Sequence, residues 1–285
     1  MFHGLTHEII YSAAKTRAVF VDEYGKEKIV SGTAFSLMIG DKHALVTNRH
    51  ITDLDFDRTD SKYISFRLDR LLCETRGRDK ENGSPGEVKR FIIPLSHNEV
   101  LYDEDILNDV AVIYDVQSGN LDGSEDRLWD YCFKYEDLAT EDEIYSELHP
   151  FDTLAFPGYP DGFDRQELRA IIRKGTAACD PRFQYSYDDQ PRGEILLYEG
   201  FSYGGSSGSP MIATPKVPPL NLDPNPANQF RRMLVVGVNA GHLNGLTDQH
   251  PGLSYFVRSS VIRRIIDKNL HQIESSLATN SLQDG

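Results

Sequence analysis

The chain has 285 residues, with 30 Lys and Arg against 44 Asp and Glu and a formal net charge of −14. That length allows one large or two modest domains, and the acidic balance argues against a nucleic-acid partner, because phosphate binding needs a concentrated cationic surface. No apolar run reaches the roughly 18 residues of a membrane helix, so no membrane partner is expected.

The opening, MFHGLTHEIIYSAAK, lacks a basic region followed by an apolar one, and a cytoplasmic location is expected from it. Cys73, Cys132 and Cys179 form no C-x-x-C pair and the nine histidines no H-x-x-x-H spacing, so neither a disulfide framework, a metal nor another cofactor is expected.

Up to residue 116 the chain reads as short strands rich in Val, Ile, Phe and Tyr: TRAVFVD, IVSGTAFSLMI, ALVTN, YISFRL, VKRFIIPL and VAVIYDV, with a hairpin turn at GDK. Residues 121–147 are polar and acidic and read as a solvated connection with room for a helical turn. Six further candidate strands follow: TLAFPGYP, RAIIRKGTAAC, EILLYEG, PMIATP, RRMLVVGVNAG and LSYFVRS. The Pro- and Asn-rich stretch at 214–229 reads as a surface loop. After Ser259 or Ser260, either able to cap, Val261, Ile262, Ile265, Ile266 and Leu270 are spaced as the apolar face of one helix.

Two sets of short strands predict an all-β fold of two six-stranded antiparallel barrels plus a C-terminal helix. The expected divisions are an N-terminal barrel over 1–120, the connection over 121–147, a C-terminal barrel over 148–258, the helix over 259–276 and a flexible tail over 277–285.

Within YEGFSYGGSSGSPMIA, residues 198–213, two adjacent serines sit among glycines. Taken as G-x-S-x-G, the run makes Ser206 the nucleophile of a serine esterase on a strand-to-helix elbow, with Asp248, His250, Asp267 and His271 as candidate partners. Taken as G-x-S-G-x-P, it makes Ser207 the nucleophile. A serine hydroxyl needs a base within hydrogen-bond reach and a third group to orient that base. ALVTNRHIT supplies His50 and NDVAVIYD supplies Asp109, each beside a strand-like run and both ahead of Ser207. The alternation of strands with long helices that the elbow fold requires is missing.

TNRH, NDVAV and GSSGSP together resemble the trypsin-like, chymotrypsin-fold serine peptidases, and more closely their HtrA-like bacterial branch. SGTAFSLMI, AFPGYP, IIRKGTAA, VVGVNAG and GLSYFVRSSVIRRII extend the resemblance over roughly residues 15 to 270, with 52–105 and 116–148 unmatched. The resemblance implies an active site between two barrels, a serine endopeptidase working through an acyl-enzyme, and a polypeptide substrate. It gives His50, Asp109 and Ser207 the triad roles and the N–H groups of Gly205 and Ser207 the oxyanion hole.

Specificity is placed by the same likeness: Phe201 at the pocket base, followed by Ser202 and Tyr203, with Asn239, Ala240 and Gly241 as one wall and Gly252 and Leu253 as the other. No carboxylate stands at the base, so a small or medium apolar side chain is expected there, with His242 a lesser candidate for recognising an acidic one. Ser206 replaces the aspartate that pairs with a cut N-terminus in secreted relatives, Ile51 a disulfide cysteine, and Ser209 the motif's second glycine. The residues after Ser259 leave no room for the peptide-binding module of HtrA-like proteins, so targeting is expected to need a regulatory or targeting protein partner. A catalytically inactive, peptide-binding relative is the remaining alternative.

Overall fold

The structure is a computed structural model that describes residues 5–56, 62–79, 81–120, 129–186, 192–216, 230–243 and 252–283, with side chains as far as Ile273. Strand β1 (Ala13–Val21) runs antiparallel to β2 (Glu27–Ile39), which turns through Gly40 and Asp41 into β3 (Lys42–Thr47). Gly40 has φ +63°, a conformation that two-residue hairpin turns require and glycine adopts without strain. The one-turn helix α1 (Arg49–Thr52) follows β3 directly. Next come β4 (Arg67–Arg78), β5 (Pro85–Pro94), β6 (Leu101–Tyr102), β7 (Ala111–Tyr114), β8 (Gly119–Asn120) and β9 (Phe133–Lys134).

These nine strands form one sheet in the order β6-β7-β3-β2-β1-β4-β5-β8, with β9 added in parallel on β2. Among the described residues the expected first barrel therefore does not close. Its end strands, β6 and β8, are two residues long and offer too short a ladder to pair across the gap. The first half of the expected strand YISFRL, residues 63–65, is a turn; its last two residues begin β4, which extends on through LLCETRGR.

The second half meets the expectation of closure. Strands β10 (Thr153–Gly158), β11 (Ile171–Ala177), β12 (Ile195–Glu199), β13 (Pro210–Ala213), β14 (Leu234–His242) and β15 (Leu253–Arg258) form a barrel in the order β10-β11-β12-β15-β14-β13.

The acidic connection is not a solvated linker where it is described. Trp129, Tyr131, Phe133 and Leu138 are buried, and the Trp129 ring lies 5.6 Å from that of Phe91. Helix α2 (Glu141–Glu147) starts with a capping box in which Thr140 Oγ1 accepts from Glu143 N at 3.1 Å. Helix α3 (Ser259–Gln283) runs past the expected end at residue 276. Neither candidate capping hydroxyl folds back on it: Ser259 Oγ donates to Ala139 O and Ser260 Oγ to Glu194 Oε2.

One apolar cluster belongs to both halves and to α3. It joins Phe35, Leu37, Val46 and Val112 of the sheet to Ile195, Ile212, Val235 and Val257 of the barrel and Val261, Ile262 and Ile265 of the helix. Among the described residues no helix is long and apolar enough to cross a membrane, and no cluster of His, Cys, Asp and Glu has metal-site geometry. Most of the surface loop expected over 214–229 lies outside the described residues, as do Asp248 and His250.

Candidate active site

Buried Ala44, Leu45 and Val46 fix β3 in the sheet, so its end delivers Asn48 and His50 at a defined place. Asp109 stands just before β7, the strand paired with β3, which brings the two segments side by side. Asp109 Oδ1 accepts from the His50 backbone N–H at 2.9 Å, and Oδ2 lies 2.7 Å from His50 Nδ1. Asn48 Nδ2 donates to the Asp109 carbonyl at 2.8 Å, holding the acid's backbone as well.

With the carboxylate ionised, Nδ1 carries the proton and Nε2 keeps its lone pair, the tautomer a general base needs. The His50 side chain is 34% exposed and that of Asp109 11%. Burial pulls the His50 pKa down, but the charge and hydrogen bond of Asp109 outweigh it and leave the imidazole above its ordinary value.

The serine loop joins β12 to β13 and is bound to β2 at two points. Thr33 N donates to Ser207 O at 2.7 Å, and Thr33 Oγ1 donates to Gly205 O at 2.7 Å. The same hydroxyl accepts from Tyr159 N at 3.1 Å, while Thr47 Oγ1 donates to Thr33 O at 2.8 Å. Gly208 has φ +87°, and a Cβ there would run into the Thr33 carbonyl and the Thr47 hydroxyl. A Cβ on Gly32 would lie 2.8 Å from Ile51 Cδ1 and 3.1 Å from Ser207 O, so the helical turn of His50 and the serine loop press on one point of β2.

Gly205, at φ +89°, and Ser207 have backbone N–H groups that make no hydrogen bond among the described residues. Ser207 Oγ donates to Ala240 O at 3.2 Å, and no hydrogen bond joins it to His50.

The structure treats the residues expected around the pocket unequally. Asn239 is fully buried and faces the loop's interior: its Nδ2 donates to Ser202 Oγ and Ser206 O, both at 2.9 Å, and its Oδ1 accepts from Tyr198 OH at 2.7 Å. It braces the serine loop rather than forming a pocket wall, as does buried Ser202. Phe201 is 51% exposed and stacks on Tyr203, so among the described residues it does not floor an enclosed pocket. Gly252 lies beside it, within 4.0 Å of the ring for a Cβ built there. Ala240, Gly241 and Leu253 sit on the neighbouring strands β14 and β15, where Gly241 faces Tyr255, and His242 is exposed at the strand end.

Ser206 is 1% exposed with its hydroxyl enclosed, and Asp267 accepts from Tyr135 OH out on α3. The esterase elbow therefore has neither an accessible nucleophile nor a strand-to-helix turn. Sequence reasoning missed the bracing by Asn48, Asn239 and the Thr33 hydroxyl. Asn48 and Thr33 stand inside the motifs TNRH and SGTAF, the one signal that could have marked them.

These features describe a mostly β protein in which a closed six-stranded barrel and an open sheet set a His–Asp pair and a glycine-flanked serine against one strand. Among solved structures the chain is similar to one described as "HtrA-type protease AlgW with decapeptide", with TM-score 0.51 and 13% identity over 90% of this chain. The chain spans 65% of that neighbour's length, and at this identity the likeness is one of fold. No family model and no curated protein matches the sequence.

Proposed function

We propose that the chain is a serine endopeptidase. Ser207 Oγ attacks the scissile carbonyl while His50 Nε2 takes its proton; the C–N bond then breaks as the imidazolium returns that proton to the leaving amine. Water, activated by the same histidine, hydrolyses the acyl-enzyme. Asp109 holds the tautomer and stabilises the imidazolium. The unengaged N–H groups of Gly205 and Ser207 receive the oxyanion, where one donor contributes roughly 3–4 kcal/mol.

The observation that carries this reading is the two-point hold of Asp109 on His50, at 2.9 Å to the backbone and 2.7 Å to Nδ1. In this mechanism Ser207 Oγ must turn from Ala240 O toward His50 Nε2; catalytic hydrogen bonds commonly tighten when substrate binds. A polypeptide pairs as an added strand along Ala240 and Gly241, leaving its side chain before the scissile bond toward Phe201. The decapeptide named with the structural neighbour fits that substrate class.

That side chain is small or medium and apolar, such as Val, Ala or Leu. Arg173 Nη1 donates to Phe201 O at 2.6 Å and its guanidinium lies 4.2 Å from the Tyr203 ring, so a basic residue there meets a like charge. Labelling of wild type, Ser206→Ala and Ser207→Ala with a fluorophosphonate tests the assignment. Loss with Ser207→Ala alone is expected; loss with Ser206→Ala alone from a folded variant overturns it in favour of an esterase, and no labelling of wild type favours a peptide-binding module. Dominant cleavage after Arg or Lys in a peptide library would overturn the specificity.

A further inference from the structure

We propose that Arg264 on α3 is a positioning residue that holds the Asp109 carboxylate in register with His50, an inference that rests on reading those two residues as the catalytic pair. Helix α3 packs its apolar face into the core shared by both halves, and Arg264 extends from it to two carboxylates of different parentage. Its Nε lies 3.0 Å from Oδ2 and 3.3 Å from Oδ1 of Asp103, and Nη2 also donates to Asp103 Oδ2. The same Nη2 lies 2.7 Å from Oε1 of Glu194, at the entry to β12 in the barrel. Asp103 begins the loop that ends at Asp109.

The connection continues inward without a gap. Asp103 Oδ2 accepts from Asn108 Nδ2 at 3.1 Å, and Asn108 Oδ1 accepts from Glu194 N at 2.8 Å. A Cβ on Gly193 would lie 2.6 Å from Asn108 Oδ1 and 2.8 Å from Leu107 O, so only glycine lets the chain before β12 approach the acid's loop this closely. Asn108 is buried and covalently precedes Asp109. The Asp103 side chain is 3% exposed against 45% for Arg264, so the carboxylate is enclosed while the cation covers it from outside.

Other groups facing this network are Ser260, whose hydroxyl donates to Glu194 Oε2, Arg258, which lies in the field of Glu194, and the rim pair Lys268–Glu104 at 2.5 Å. The planar fork of arginine meets Asp103 and Glu194 together, which a lysine ammonium cannot reproduce with the same geometry. Arg264 thereby sets the acid's loop, which belongs to the sheet, against the barrel that carries Ser207.

The test compares full-length wild type with Arg264→Met and Arg264→Lys by three readouts: kcat and KM on a peptide substrate, the acid limb of kcat/KM, and the His50 ring titration by proton NMR, assigned with His50→Gln. A misplacement of about 1 Å costs on the order of 10²-fold in rate. Arg264→Met is expected to lower kcat roughly 10- to 100-fold with KM within about twofold, and to move the His50 midpoint down toward the ordinary histidine value. Arg264→Lys, which keeps the charge, should recover part of both effects and serves if the methionine variant does not fold. A lowered melting temperature with kcat, acid limb and His50 midpoint all as in wild type would overturn the proposal. Should wild type show no peptidase activity and no labelling at Ser207, the peptidase reading fails by itself, while the His50 titration still decides whether Arg264 positions Asp109.

Discussion

The serine side and the histidine side of the site are held by different physics. Around Ser207 the hold is mostly backbone: Thr33 N and Oγ1 on the Ser207 and Gly205 carbonyls, Gly208 N on Asn239 O, and two glycines at positive φ. Around His50 it is side-chain charge: one carboxylate with both oxygens engaged, on a loop steadied by Asp103 and Arg264. The first arrangement depends on close approach and fails through steric change; the second depends on ionisation and fails through changes of charge or pH. The closed barrel carries the first and the open sheet the second.

That contrast is tested most severely by Asp109→Asn. Loss of the acid costs the tautomer and the imidazolium's partner, so kcat should fall on the order of 10⁴-fold, measured by steady-state kinetics on a peptide. A fall under about tenfold would show that charge is not what holds the histidine side.

Asn239→Ala probes the other side. It strips partners from Ser202 Oγ, Ser206 O and Tyr198 OH in a fully buried place. About 3 kcal/mol of stability should go in urea unfolding, together with slower fluorophosphonate labelling of Ser207. Labelling at the wild-type rate would mean that the loop does not need this brace.

The pH dependence should belong to the histidine side. His50 must be neutral to act as base, and its pKa lies above the ordinary 6.5, so the acid limb of kcat/KM should have its midpoint above 6.5. For stability the sign is the same as for any group raised on folding: the His50–Asp109 contribution is fully present below 6.5 and is lost as pH rises through the folded value. Thermal melts of wild type and His50→Gln across that window measure the difference, and parallel curves would refute the linkage.

The smallest effect is expected from Lys268→Met. The pair with Glu104 is 50% and 78% exposed, so stability should change by less than about 1 kcal/mol. A larger loss would mean that exposed charge also steadies the acid's loop.

Strand-like runs and punctuating glycines were enough to foresee the closed barrel, because their pattern is local, while the family resemblance carried by TNRH, NDVAV and GSSGSP brought His50, Asp109 and Ser207 forward. VKRFIIPL foretold β5, but the length of its partner β4 was not foreseen, since RLDRLLCETRGR carries so many charges that its alternation is masked. Leu71, Cys73 and Thr75 nonetheless turn inward at every second position, with Leu72 and Glu74 between them less buried. The packing of Trp129 and Leu138 was hidden by acidic neighbours in the same way. The inward turn of Asn239 and the reach of Arg264 to Asp103 were not legible at all. Both join residues 33 or more positions apart, and no local spacing records a contact that only the tertiary fold creates.

The apolar cluster that draws Phe35, Val112, Ile212, Val257 and Ile265 from the sheet, the barrel and α3 has a consequence for how the chain comes apart. Each half also has a core of its own, around Leu71, Phe91 and Trp129 in the sheet and around Phe156, Tyr198 and Phe256 in the barrel, but cutting the chain between them would bare in water the two apolar faces that meet in the shared cluster. Heat should melt the molecule in one cooperative transition seen alike by tryptophan fluorescence, which reports Trp129 on the sheet side, and by near-ultraviolet dichroism from the barrel tyrosines. The face that the sheet shares with the barrel and α3 stays uncovered until both have formed, so the site gains its geometry only when all three have come together.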